Sequence, residues 1–94
     1  MHDKTATLTK AHENNLVAII RDYRHLLQKY FGDRLEQVIR TWYNQERQRF
    51  EYPDGLEAGP AKVLDFVPIL TRRAVEERIR RLLAGPQQAF EGAA

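Results

Sequence analysis

The feature that most limits the fold is a run of apolar residues spaced three and four apart. Leu16, Ile19, Ile20, Tyr23, Leu26, Leu27, Tyr30 and Phe31 keep that rhythm, which gathers them on one face of an α-helix. Thr9, Asn14 and Asn15 each suit an N-cap, so the start of this helix stays open by a turn or more. Gly32 is a good stop. Asp33-Arg34-Leu35-Glu36 then reads as an Asp-x-x-Glu variant of the capping box and opens a second helix. Its stripe is Leu35, Val38, Ile39, Trp42 and Phe50, with Trp42 in the core and Tyr43 at the edge. A single glycine between the two helices predicts a tight antiparallel hairpin.

Residues 51–60, rich in turn formers and carrying Glu51, Asp54 and Glu57 without a base, read as a loop. A third helix is expected from about Ala61, with Pro60 in its first turn, to Ala84, where Gly85-Pro86 terminates it. Val63, Phe66, Val67, Leu70 and Ala74 share one face of that helix, whereas Val75, Ile79, Leu82 and Leu83 share another. Leu64 lines up with the second stripe and Ile69 with neither. Pro68 lies at the changeover, where it has no amide hydrogen and crowds the carbonyl of Leu64, so a kink or local unwinding is predicted. The expected fold is an all-α three-helix bundle with its third helix kinked at Pro68. Its boundaries are a disordered N-terminus at 1–8, the bundle at 9–85 and a flexible tail at 86–94.

Ninety-four residues suit one domain with a thin core. No apolar run is long enough to span a membrane, and residues 1–5 lack the apolar core of a secretory signal. With no cysteine, the expected compartment is the cytoplasm. The chain also has no serine, which removes the two commonest nucleophiles together. His2, His12 and His25 have no partner in a familiar metal-ligand motif, and a surface position is the expectation for them. The glycines are scattered, so no phosphate-cradling loop is present. No catalytic, metal or cofactor residue is therefore assigned, and no enzyme is expected.

Glu46 and Arg78 fall on apolar stripes. They are read as snorkelling to water near helix ends, the alternative being a buried ion pair that fixes packing. Arg72, Arg73, Arg78, Arg80 and Arg81 make the densest basic cluster, and Arg72, Arg73, Arg80 and Arg81 are its candidate polyanion contact. The i, i+4 runs Arg72-Glu76-Arg80 and Arg73-Glu77-Arg81 interleave acids with them, however, as on a solvated helix face. About ten residues separate the second and third helices, too many for a helix-turn-helix. Nucleic acid is thus the weaker alternative.

The stretch VLDFVPILTRRAVEERIRRLL at 63–83 resembles the signature of a bacterial three-helix bundle dimerisation domain family. That signature is a DFVP-x-L core followed by arginine-rich turns. LEQVIRTWYNQERQRFE at 35–51 fits the second helix of the family. Related segments also stand ahead of phosphatase-like arsenate reductase domains. This chain lacks the cysteine of a phosphatase loop, so no catalytic residue follows from the resemblance. It implies the fold and dimerisation through the helix bearing Phe66, Pro68 and Leu70.

The function expected is non-catalytic protein–protein association, as a homodimer or with another protein. The candidate interface is Leu64, Phe66, Ile69, Leu70, Val75 and Ile79. The alternatives are a nucleic-acid accessory protein using the arginine face and a regulatory subunit of an unidentified enzyme.

Overall fold

The structure, a computed structural model, describes the backbone of residues 4–93 and the side chains of residues 6–85. Every regular element among them is helical: α1 (Lys4–Phe31), α2 (Leu35–Glu51) and α3 (Val67–Ala93), with 3₁₀ turns at Gly32–Arg34 and Leu56–Ala58. All three α-helices contribute to one core, an arrangement consistent with a helical bundle. None is long and apolar enough, among the described residues, to cross a membrane.

Helix α1 begins well before the expected caps. It already includes residues 6–8, assigned above to a disordered N-terminus; residues 1–5 and the expected tail at 86–94 lie outside the fully described residues. The turn into α2 is as tight as expected. Gly32 takes φ of 55°, a left-handed value that other residues adopt only at a cost. The capping box does not form, because Asp33 sits inside the 3₁₀ turn and neither that turn nor α2 has a side-chain cap.

The largest correction concerns Pro68. The helix starts at Val67, so Pro68 lies in the first turn and kinks nothing. The reason is local: a proline inside a helix would strike the Leu64 carbonyl, whereas in the first turn its missing amide is no loss. The Val67 amide is instead satisfied by the Leu64 carbonyl at 3.1 Å, and the Leu70 amide binds the Phe66 carbonyl at 3.0 Å. The loop before it is closed at its neck by Ala61 N–H donating to the Glu51 carbonyl at 2.7 Å. At the other end Gly85 leaves helical geometry, with φ of 76° and ψ of −178°, where a stop was expected.

The core consists of Leu16, Ile19, Ile20 and Leu27 from α1, Leu35, Ile39 and Tyr43 from α2, and Val75 and Ile79 from α3. Tyr43, expected at the edge, is fully buried, and Trp42 is only half-buried against the same cluster. Burying a phenol requires a partner for its hydroxyl. His12 Nδ1 lies 2.5 Å from Tyr43 Oη, and Asn15 Nδ2 donates to the same oxygen at 3.0 Å. Asn15 Nδ2 gives its other hydrogen to the Pro68 carbonyl at 2.9 Å. A carbonyl can only accept, which fixes the orientation of the Asn15 amide. This seam joins α1, α2 and α3. His12, expected at the surface, is 3% exposed within it.

Glu46 and Arg78 pair across α2 and α3 at 3.3 Å rather than reaching separately for water. Arg78 also donates to Gln45 Oε1 at 2.9 Å and stacks 4.7 Å from the Trp42 ring, whose edge meets Phe31. Glu46 carries a second ion pair, to Arg49 at 3.0 Å. Thr71 is fully buried, and its hydroxyl has no hydrogen-bond partner among the described residues.

Two outcomes follow. Thr71→Val keeps the shape and removes an unpaired hydroxyl, so it should stabilise the fold by about 1 kcal/mol in denaturant unfolding; a loss of stability would mean that the hydroxyl is satisfied. Arg78→Met should cost about 1–2 kcal/mol through lost stacking and charge-assisted contacts, accompanied by a change in native Trp42 emission. An unaltered unfolding midpoint would show that the clamp contributes nothing.

Candidate functional site

The start of α3 supplies the clearest surface feature. On an ideal helix the residues of α3 advance about 100° each. Val67, Thr71, Val75 and Ile79 therefore form a slowly drifting seam about 120° wide, and all four are buried. This one seam joins the inward parts of the two stripes that sequence periodicity had separated. Val75 and Ile79, placed in the candidate interface, belong instead to the chain's own core at 0% exposure. They are withdrawn from that interface, because a residue already packed against α1 and α2 has nothing left to offer a second surface.

The other candidate residues behave differently. Phe66, Ile69 and Leu70 are 63%, 53% and 40% exposed, Ile69 standing opposite the seam and Leu70 beside it. Val63, three residues upstream, is also exposed, and Leu64 is half-buried. Val63 and Phe66 precede the helix and so belong to no helical stripe. Four large apolar side chains within eight residues thus point away from the core. Single exposed apolar residues are ordinary, but contiguous ones commonly mark an interaction surface.

Further along α3 the outer face turns charged. Arg72 pairs with Glu76 at 3.6 Å, and Glu77 pairs with both Arg80 at 3.4 Å and Arg81 at 3.6 Å. The interleaving of signs expected from the sequence is present, with Glu77 shared instead of one acid serving each ladder. Arg73 makes no ion pair among the described residues. A face so compensated offers a phosphate backbone little net charge.

The remaining concavities are shallower arguments for a ligand. A groove of about 410 Å³ between α1 and α2 is lined by Val17, Ile20, Arg21, Arg24, Glu36 and Arg40. Its cations are already engaged, Arg24 with Glu36 at 3.1 Å, Arg40 with Glu13 at 3.8 Å and Arg21 with Asp22 at 3.0 Å. A smaller one, of about 220 Å³, lies over Arg34, Gln37, Val38, Thr41 and Trp42 on α2. Among the described residues no three metal-binding side chains converge. His25 is exposed.

The buried seam has its own electrostatics. Burial pushes the His12 ring below its ordinary range, Arg47 pushes it further, and Glu51 opposes both. Burial also pushes the Tyr43 hydroxyl up, against the Asn15 hydrogen bond and Arg47. Both groups are therefore held neutral at physiological pH. The hydrogen bonds they make, among His12, Asn15, Tyr43 and the Pro68 carbonyl, tie the three helices together.

Sequence periodicity overlooked this seam, although the signal was there: His12 stands four residues before Leu16 and seven before Ile19, extending the same stripe. Comparison with known proteins finds no family model, no curated protein and no solved structure that matches the chain.

Proposed function

We propose that this chain is a non-catalytic association module that pairs with a second copy of itself through Val63, Phe66, Ile69 and Leu70. The single observation carrying this reading is the exposure of those four side chains in the first turn of α3 and just before it, outside the helix's buried seam. Covering the exposed part of each gains about 1 kcal/mol. A two-fold pair would cover eight, a gain of the same order as the 4–15 kcal/mol cost of association. The surplus over that cost is small, so the expected dimer is weak.

A second copy is favoured as the occupant because the patch is flanked by complementary charges from one chain. Lys62 and Arg73 border it, while the exposed acids Asp54 and Glu57 stand on the preceding loop. In the proposed two-fold pair each set would meet its opposite on the other copy. With a formal charge of only +2, copies do not repel one another at long range. This is the mode of association implied by the resemblance of residues 63–83 to the bacterial three-helix bundle dimerisation family, confined here to the first turn of α3 and the residues before it.

Light scattering of the whole chain up to about 100 μM, where micromolar dimers are populated, should approach twice the 11.0 kDa chain mass. Ile69→Asp combined with Leu70→Asp should restore the single-chain mass with helix content unchanged by circular dichroism, since both positions are exposed. A wild-type mass of one chain throughout that range would sink the self-association reading.

A further inference from the structure

The seam of His12, Asn15 and Tyr43 does more than fill the core, because its hydrogen bonds are satisfied in only one protonation state. Tyr43 Oη receives a hydrogen from Asn15 Nδ2 at 3.0 Å and has a single proton of its own to give. The group at hydrogen-bond distance to take that proton is His12 Nδ1, 2.5 Å away. Nδ1 must then be an acceptor, with the ring proton on Nε2. Asn15 is equally committed, since its two amide hydrogens go to Tyr43 and to the Pro68 carbonyl. We propose that this trio is an acid-sensitive latch, in which neutral His12 holds the first turn of α3 against α1 and α2 and protonation of His12 releases it.

Protonation turns Nδ1 from acceptor into donor. The Tyr43 oxygen then faces two donors, from His12 and Asn15, and its own proton has lost its acceptor. Turning Tyr43 to recover a partner pulls on Asn15, and Asn15 is the hydrogen bond that reaches α3. A cation is meanwhile placed on a side chain that is 3% exposed. The charged groups acting on the ring are Arg47 and Glu51, both on α2 and paired with each other at 2.9 Å. Arg47 opposes the cation, and Glu51, whose charge Arg47 shares, relieves it less than burial and Arg47 together oppose it. From α1 the ring's polar neighbour is the uncharged Asn15. From α3 comes the Pro68 carbonyl, which does not titrate.

The direction in pH follows. The latched state holds His12 below the ordinary 6.5 of a free histidine, so at pH above 6.5 neither the latched nor the released state takes up a proton and the latch has its full strength. As the pH falls below that value, the released chain binds a proton that the latched chain refuses. The equilibrium then shifts toward release by up to about tenfold per pH unit until His12 titrates in place. Ile69 and Leu70 ride on the same turn, so the latch would set the pH range over which that face is presented. The latch itself does not depend on whether a second copy binds there.

Amide hydrogen exchange of the whole chain between pH 7.5 and 5.5, expressed as protection factors, tests this. Protection at Leu70 to Val75 should fall by up to about fivefold across the lower unit of that range, with α1 and α2 near Ile19 and Ile39 losing less. His12→Gln, which keeps an acceptor but does not titrate, should abolish the pH dependence while the exposed His25 remains. Unchanged protection in the wild type, equal loss in all three helices, or the same loss in His12→Gln would each overturn the proposal. Should that variant fail to fold, nitrogen NMR of the wild-type imidazoles decides it. An unprotonated His12 Nδ1 at pH 7.5, titrating below 6.5, supports the latch, and a protonated Nδ1 at neutral pH refutes it.

Discussion

A fully buried tyrosine hydroxyl is the constraint from which the rest of this structure follows. Left unpaired, it would cost about 1–3 kcal/mol, a large fraction of what a domain of this size has to spare. The partners of Tyr43 lie one turn apart on α1, at His12 and Asn15, and the second hydrogen of Asn15 must find an acceptor of its own. It finds the Pro68 carbonyl. Apolar contacts between helices are non-directional and tolerate sliding and rotation, whereas these three hydrogen bonds do not. They set the rotation of α1 against α2 and the height at which α3 begins. The clamp of Arg78 on Trp42, Gln45 and Glu46 holds the same α2–α3 pair at a second level along their length.

How much of this was legible depends on residue type more than on position. The core of α1 and α2 was readable because Leu16, Ile19, Leu27, Leu35 and Ile39 are apolar and correctly spaced. His12, Asn15 and Thr71 occupy the same inward rows, but a polar side chain contributes nothing to an apolar pattern, so the rows seemed to stop short of them. Without Thr71 the inward face of α3 breaks between Val67 and Val75, and what is one drifting seam reads as two stripes. Restoring it removes the need for a second surface to cover Val75 and Ile79. The pairing of Glu46 with Arg78 was visible as an oddity in each helix separately, and its resolution depended on which faces met. That is a tertiary fact.

Pro68 shows the same limit from another side. Its local chemistry was clear in the sequence: no amide hydrogen, and a clash with the carbonyl four residues back. That chemistry permits a kink within a helix or a helix that starts beside it. The choice turns on whether residues 61–66 gain enough by being helical to offset the lost hydrogen bond. In the structure they have little to gain, since Val63 and Phe66 remain exposed and Ala61 is held instead by the Glu51 carbonyl. With no buried contact to reward a longer helix, the proline sets the start.

The first turn of α3 then carries two opposed demands on one rigid frame. Taking Val67 as the origin and about 100° per residue, Thr71 returns to within about 40° of it, while Ile69 stands about 160° away and Leu70 about 60° away on the side opposite to Thr71. Rotating α3 to bury Ile69 would lift Val67 and Thr71 out of the core, where they are 4% and 0% exposed. It would also carry the Pro68 carbonyl away from Asn15. Nor can unwinding at the proline absorb the patch, because the helix already begins there and has no upstream turn to slip. The outward apolar face is thus a geometric consequence of the inward seam: the hydrogen bond that docks α3 also fixes which residues it must leave outside. Among the described residues that surface cannot be removed without breaking the tie that places it.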